Sequence, residues 1–177
     1  ELKNNKLENS DNFMDLIMEL TRRCDMRCSH CLRGDAQGKD MGQNVMHHTL
    51  RTFEDIQTLT FGGGETTLKP KVVRNLLQGI YSFGTEIESF FMVTNGKRLY
   101  NTVVDQSEFS GEVYNEEYDC YDEGEPHEWC SIFRRLNDYA YEGLSLVVSD
   151  DMFHDEGQKS RHGHLSHITE YLNLDVG

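Results

Sequence analysis

No apolar run in this sequence approaches the roughly 18 residues that a membrane-spanning helix requires, so a soluble protein is expected. No basic stretch followed by an apolar core opens the chain, which leaves no secretory signal to read, and Glu1 stands where an initiator methionine would, so the start reads as trimmed. Basic residues are scarce: 17 Lys and Arg face 31 Asp and Glu. A surface so poor in cations cannot neutralise many phosphates, which argues against nucleic acid as a partner. Cysteines number five, an odd count with three packed together, and that argues against a secreted disulfide framework. A reducing, cytoplasmic setting is the expectation. No internal repeat is found beyond an alternation of element types.

What is present fits one globular domain. The length of 177 residues is enough to bury a core without disulfide or metal staples, and 37% hydrophobic with 27% charged residues is an ordinary balance for such a domain. Residues 1–12 read as a loose polar arm and 13–177 as the domain. The net charge of -14 is unevenly spread, because ten acidic residues and no Lys or Arg lie between Asp105 and Glu128. That segment reads as a solvated insertion, with a docking strip for a basic peptide or partner as the functional alternative. The one basic island is Arg22, Arg23, Arg27 and Arg33, with Asp25 the only acid among them. Cations there are expected to favour thiolates on the neighbouring cysteines.

Strand and helix signals alternate. Strands are expected at 15–20, 56–61, 89–94 and 144–149. Helices are expected at 44–53, where Met46, Leu50 and Phe53 share a face, and at 70–81, where Pro70 suits a first turn and Val72, Val73, Leu76, Leu77 and Ile80 keep a 3.6-residue period. A short helix at 97–104, an amphipathic one carrying Trp129, Ile132, Phe133, Leu136, Tyr139 and Ala140, and a last helix at 162–174 complete the pattern. Strands separated by helices imply parallel pairing, hence an α/β sheet or barrel, with the site at the carboxyl ends of the strands. Four special segments follow those ends: the cysteine loop, Gly62-Gly63-Gly64-Glu65, Thr94-Asn95, and Ser149-Asp150-Asp151.

Cys24, Cys28 and Cys31 form a C-x3-C-x2-C run. On a helix they would share one face and could be inert core residues, but the polar Asp25, Arg27, Ser29 and His30 between them speak against that. Three thiolates on one loop can hold three corners of a cubane iron-sulfur cluster and leave the fourth iron open. Zinc is the competing reading, with His30 or the distant Cys120 or Cys130 completing four ligands.

Cys24-Asp-Met-Arg-Cys28-Ser-His-Cys31 followed by Leu59-Thr-Phe-Gly-Gly-Gly-Glu65 resembles the radical S-adenosylmethionine (radical SAM) superfamily, as do 91–96 and 146–151 for its third and fourth strands. The resemblance covers about residues 13–161. It implies a 4Fe-4S cluster on Cys24, Cys28 and Cys31, with S-adenosylmethionine chelating the fourth iron. It also implies reductive cleavage of that cofactor to a 5′-deoxyadenosyl radical, which abstracts hydrogen from a substrate. His30 takes the position that is usually aromatic and near the adenine; Gly63, Gly64 and Glu65 take those that meet the cofactor's amino group. Ser149, Asp151 and Arg161 resemble positions that touch its ribose and carboxylate, and Thr94 and Asn95 are candidates for further contacts. Thr66 departs from the proline common in the family. The implied fold is a parallel-stranded partial (β/α) barrel of the radical SAM type, of which about four βα units of an expected six are visible, so the chain is expected to be shortened, the barrel unusually open, or the last units supplied by a partner. An electron donor such as flavodoxin or ferredoxin is implied, and the substrate class stays open among small molecule, peptide and a partner receiving a glycyl radical. A non-catalytic iron-sulfur or zinc module remains the alternative.

Two further clusters read as incidental. Cys120, His127 and Cys130 fall short of a full ligand set, and His154, His162, His164 and His167 read as a solvated loop and helix face.

Overall fold

The structure is a computed structural model that describes residues 14–29, 31–97, 99, 112–115, 120–123 and 128–149. Strand β1 (Asp15–Thr21) is followed by helix α1 (Gln43–Thr52), strand β2 (Asp55–Gly63), a 3-10 turn (Thr66–Leu68), helix α2 (Pro70–Phe83) and strand β3 (Glu86–Thr94). A hairpin of β4 (Glu112–Asn115) and β5 (Cys120–Glu123) precedes helix α3 (Glu128–Tyr139) and strand β6 (Gly143–Val148). Strands β1, β2, β3 and β6 form one sheet in that order, and every neighbouring pair is parallel. The expected α/β class is therefore present.

Chain-order pairing has a geometric consequence. Parallel crossovers of one hand, added always on the same side, place all their helices on one face of the sheet. The alternating residues Met18 and Leu20, Leu59 and Phe61, Phe90 and Met92, Leu144 and Leu146 are buried in one cluster with Met46 and Leu50 of α1, Val73, Leu76, Leu77 and Ile80 of α2, and Ile132, Phe133 and Leu136 of α3. The residues between them point the other way: Ile17 is 67% exposed, Val93 39%, and Thr60, Phe91 and Val147 are half-buried. One face is thus a core, and the other is open among the described residues.

The helices form where periodicity placed them. Pro70 stands in the first turn of α2, and Trp129 of α3 donates its indole N–H to the Thr67 carbonyl at 3.1 Å, pinning α3 to the turn after β2. The acidic segment contains the antiparallel β4–β5 pair, and its last residue, Glu128, forms an ion pair with Arg74 of α2. Of the short helix expected at 97–104, residues 97 and 99 are described and helical. The expected helix at 162–174 and the histidine group His154–His167 lie outside the described residues. Cys130 is fully buried in the core, which removes it from any ligand set with Cys120 or with the cysteine loop. No helix among the described residues is long and apolar enough to cross a membrane.

Candidate functional site at the carboxyl ends of the parallel strands

All four strands run the same way, so their carboxyl ends fall along one edge, and there a cavity of about 1200 Å³ opens. Its lining includes Cys24, Cys28 and Cys31, Gly63, Gly64 and Glu65, Thr94, Asn95 and Ser149. Sequence positions separated by up to 125 residues thus meet in one place, as the strand-end argument anticipates. His30, Asp151 and Arg161 lie outside the described residues.

The cysteine stretch is a loop, not a helix, and its base is closed. The Arg22 N–H donates to the Lys39 carbonyl (2.8 Å), Gln37 N–H to Arg22 (2.9 Å) and Met41 N–H to Leu20 (2.9 Å), so 37–41 runs back alongside the end of β1. Asp40 reinforces this neck by accepting from the Thr21 hydroxyl at 2.7 Å and from the Arg23 guanidinium at 3.0 Å. Burial works upward on Asp40, but those two donors together with the Lys69 and Arg23 charges hold its carboxyl below the usual carboxylate range.

The glycine run supports the same loop from the other side. Gly64 N–H donates to the Thr21 carbonyl and Glu65 N–H to the Arg23 carbonyl, both at 2.7 Å. A Cβ on Gly63 would overlap the Thr21 carbonyl oxygen, and one on Gly64 the Arg23 carbonyl oxygen; Gly63 also has φ 118°. Here the backbone that these glycines admit is the chain's own, at the root of the cysteine loop, while the cavity lies on their other side.

Glu65 is 2% exposed, a buried carboxylate with both oxygens engaged. Oε1 accepts from Thr67 N–H (3.1 Å), the Thr67 hydroxyl and the Thr94 hydroxyl (2.7 Å), and Oε2 from Asn95 N–H (2.7 Å). Burial pushes its pKa up, and the four donors pull against that. Asn95 is equally committed, since its Nδ2 donates to Asp25 Oδ1 at 2.9 Å and its Oδ1 accepts from Lys97 N–H at 2.9 Å. The Thr94 hydroxyl oxygen also accepts from Gly96 N–H at 3.1 Å. Glu65, Thr94 and Asn95, expected from sequence as cofactor contacts, spend these polar groups on joining the ends of β2 and β3 to the loop. The Ser149 N–H, donating to the Thr94 carbonyl at 2.8 Å, extends the join to the end of β6.

The arginine island differs from its sequence reading. Arg22 pairs with Glu19, three residues before it, at 3.1 Å, Arg33 with the same carboxylate at 2.9 Å, and Arg23 with Asp40 at 3.0 Å, so two acids from outside the island offset three of the four cations. Cys24 accordingly is not shifted toward thiolate. Its pKa is raised by burial, with Glu65, Asp25 and Cys28 adding to the rise and the Met26 backbone hydrogen bond opposing it. The Arg33–Glu19 and Arg23–Asp40 pairs escaped the sequence reading because they depend on how the cysteine loop folds back and on the returning 37–41 segment.

Cys24 and Cys28 are half-buried and Cys31 is exposed, all on the cavity wall. No closed group of three or more His, Cys, Asp or Glu side chains is formed among the described residues. As a donor set, three soft thiols on one loop beside a cavity larger than most small-molecule sites suit a thiolate-bound cluster with a further ligand. No protein-family model matches the chain, and no curated protein matches it.

Proposed function

We propose that this chain is the core of a radical SAM enzyme, a partial (β/α) barrel of that type, with Cys24, Cys28 and Cys31 as the ligands of a 4Fe-4S cluster. The supporting observation is the shared cavity: the cysteine loop, the glycine run, Asn95 and Ser149 line one space at the carboxyl ends of four parallel strands. When bound, the cluster and S-adenosylmethionine would supply reductive cleavage of the sulfonium and hydrogen abstraction from a substrate, given an electron from a donor such as flavodoxin or ferredoxin.

The protein's own part is placement. The neck at 20–22 and 37–41 fixes where the thiol loop leaves the sheet. Gly63 and Gly64 bring the end of β2 against that root, and Glu65 locks β2 to β3 from inside. With Glu65 engaged internally, a cofactor's ammonium group would be left to backbone carbonyls, and its ribose and carboxylate to Ser149, Asp151 and Arg161. The sheet face that is open among the described residues, bearing Ile17, Thr60, Phe91 and Val93, would give a substrate room beside the cavity.

The test is anaerobic reconstitution with iron and sulfide, then reduction with S-adenosylmethionine present. A brown protein that forms 5′-deoxyadenosine, with colour and product both lost in Cys28→Ala, is the expected result. A colourless protein holding one zinc per chain refutes the reading, and a cluster that never cleaves the cofactor reduces it to a non-catalytic iron-sulfur module.

A further inference from the structure

We propose that Asp25 and Asn95 form a latch that sets the position of the thiols, both acting as positioning residues for the metal ligands. The inference refines the proposed cluster site, yet it concerns the loop itself and can be tested without a cluster.

The cysteine loop is tied down at both ends. Its root is fixed by Glu65 N–H on the Arg23 carbonyl, and its far part by Arg33 on Glu19 at 2.9 Å. That ion pair leaves its side chains 42% and 35% exposed, so solvent and salt weaken it. Between these ties lie Cys24 and Cys28, and there Asp25 Oδ1 accepts from Asn95 Nδ2 at 2.9 Å. Asp25 is exposed, whereas Asn95 is 7% exposed, so a solvent-side carboxylate is fastened to an anchor that cannot easily move.

The anchor is held at three points. Asn95 N–H donates to Glu65 Oε2, Asn95 Oδ1 accepts Lys97 N–H, and the preceding Thr94 hydroxyl donates to Glu65 Oε1. The side-chain amide is thereby oriented with its Nδ2 toward the loop, because the Lys97 N–H can be satisfied only by the amide oxygen. A hydrogen bond to a charged acceptor contributes more than a neutral one, and here it closes a path from the loop through Asn95 to Glu65, which joins β2 to β3. Displacing Asp25 would free Cys24 on one side of it and Cys28 three residues on.

The measurement is the rate at which each thiol of the metal-free, reduced protein reacts with a disulfide reagent, resolved by peptide mass spectrometry. Cys130, fully buried in the core, serves as the internal reporter of global opening. Asn95→Ala should speed Cys24 and Cys28 by about tenfold, the scale of one charge-assisted hydrogen bond, with Cys130 unchanged; Asp25→Ala should do the same at Cys28 and more at Cys24, because it also removes a negative charge that disfavours the Cys24 thiolate. Asn95→Ala keeps the backbone N–H on Glu65, so it reads the side chain alone. Asp25→Asn retains an acceptor oxygen and should leave Cys28 within about twofold of the natural protein, and at Cys28 the double alanine variant should add nothing to either single one. Should either alanine variant fail to fold, Asn95→Asp, which turns the donor into a charge facing Asp25, gives the same expected acceleration. Unchanged Cys24 and Cys28 rates, or rates rising in step with Cys130, overturn the latch. Since no metal is present, a failed cluster reconstitution bears on the proposed function and leaves this result standing.

Discussion

Replacing Glu65 by alanine removes the acceptor for four donors at once. Two are hydroxyls, of Thr67 and Thr94, which can rotate toward other acceptors; two are the backbone N–H groups of Thr67 and Asn95, which cannot. Each stranded buried N–H costs about 1–3 kcal/mol, and the relief of no longer burying a carboxylate offsets part of the sum, so a net loss of about 2–4 kcal/mol is expected. Glu65→Gln keeps the volume but points an amide NH2 at one of the N–H donors whichever way it sits, which costs about 1–2 kcal/mol. The assay is urea unfolding at pH 7 followed by tryptophan fluorescence. Trp129 is the one tryptophan of the chain, and its indole is bonded to the Thr67 carbonyl beside the carboxylate. Repeating it across pH separates the charge from the geometry. Burial raises the native Glu65 pKa above its unfolded value near 4.3, so the native state binds the proton more tightly and this group's contribution falls as pH rises through that value. The advantage of the natural protein over Glu65→Gln should therefore be largest in acid and shrink toward neutrality. A Glu65→Ala protein within about 0.5 kcal/mol of the natural one would refute the account of β2 and β3 joined through this side chain.

Two further perturbations address the loop's support. Gly64→Ala drives a Cβ into the Arg23 carbonyl and should cost about 2–3 kcal/mol in urea unfolding, whereas Gly42→Ala, with nothing within 4 Å of the added methyl, should lie within about 0.5 kcal/mol of the natural protein. Asp40 works in the opposite pH direction to Glu65. Its lowered native pKa makes its contribution full above the unfolded value near 3.9 and lost as pH falls below it, so acid titration of Asp40→Asn should show a shallower stability loss than the natural protein.

Regular elements were legible because their signal is local. The period of Val73, Leu76, Leu77 and Ile80, the proline at position 70 and the apolar alternation through Leu59 and Phe61 each act within one element, and they put α2 and β2 within two or three residues of where they stand. The juxtaposition of strand ends was also legible, since parallel order alone brings Cys24, Gly64, Asn95 and Ser149 to one edge. The β4–β5 pair was not, because acidic residues interleaved with tyrosines carry no clean two-residue hydrophobic period.

Partner identities required register, which local pattern does not contain. Four arginines near three cysteines read as a cationic field when counted along the chain, and that reading fails as soon as β1 is paired. Glu19, opposite Gly62 in the β1–β2 register, meets Arg22 three residues on and also Arg33 from beyond the cysteines, while the returning segment delivers Asp40 to Arg23. The glycine run followed the same course. Glycine permits close approach of any backbone, and the approaching one is the cysteine loop's own root, held by two 2.7 Å hydrogen bonds. Glu65 then has a reason to follow those glycines that does not involve a ligand: its backbone N–H closes the root and its side chain seizes β3, so a single residue couples the loop to two strands. Both motifs that suggest the function from sequence are in this way parts of one support, and their spacing is the spacing of β1 from β2.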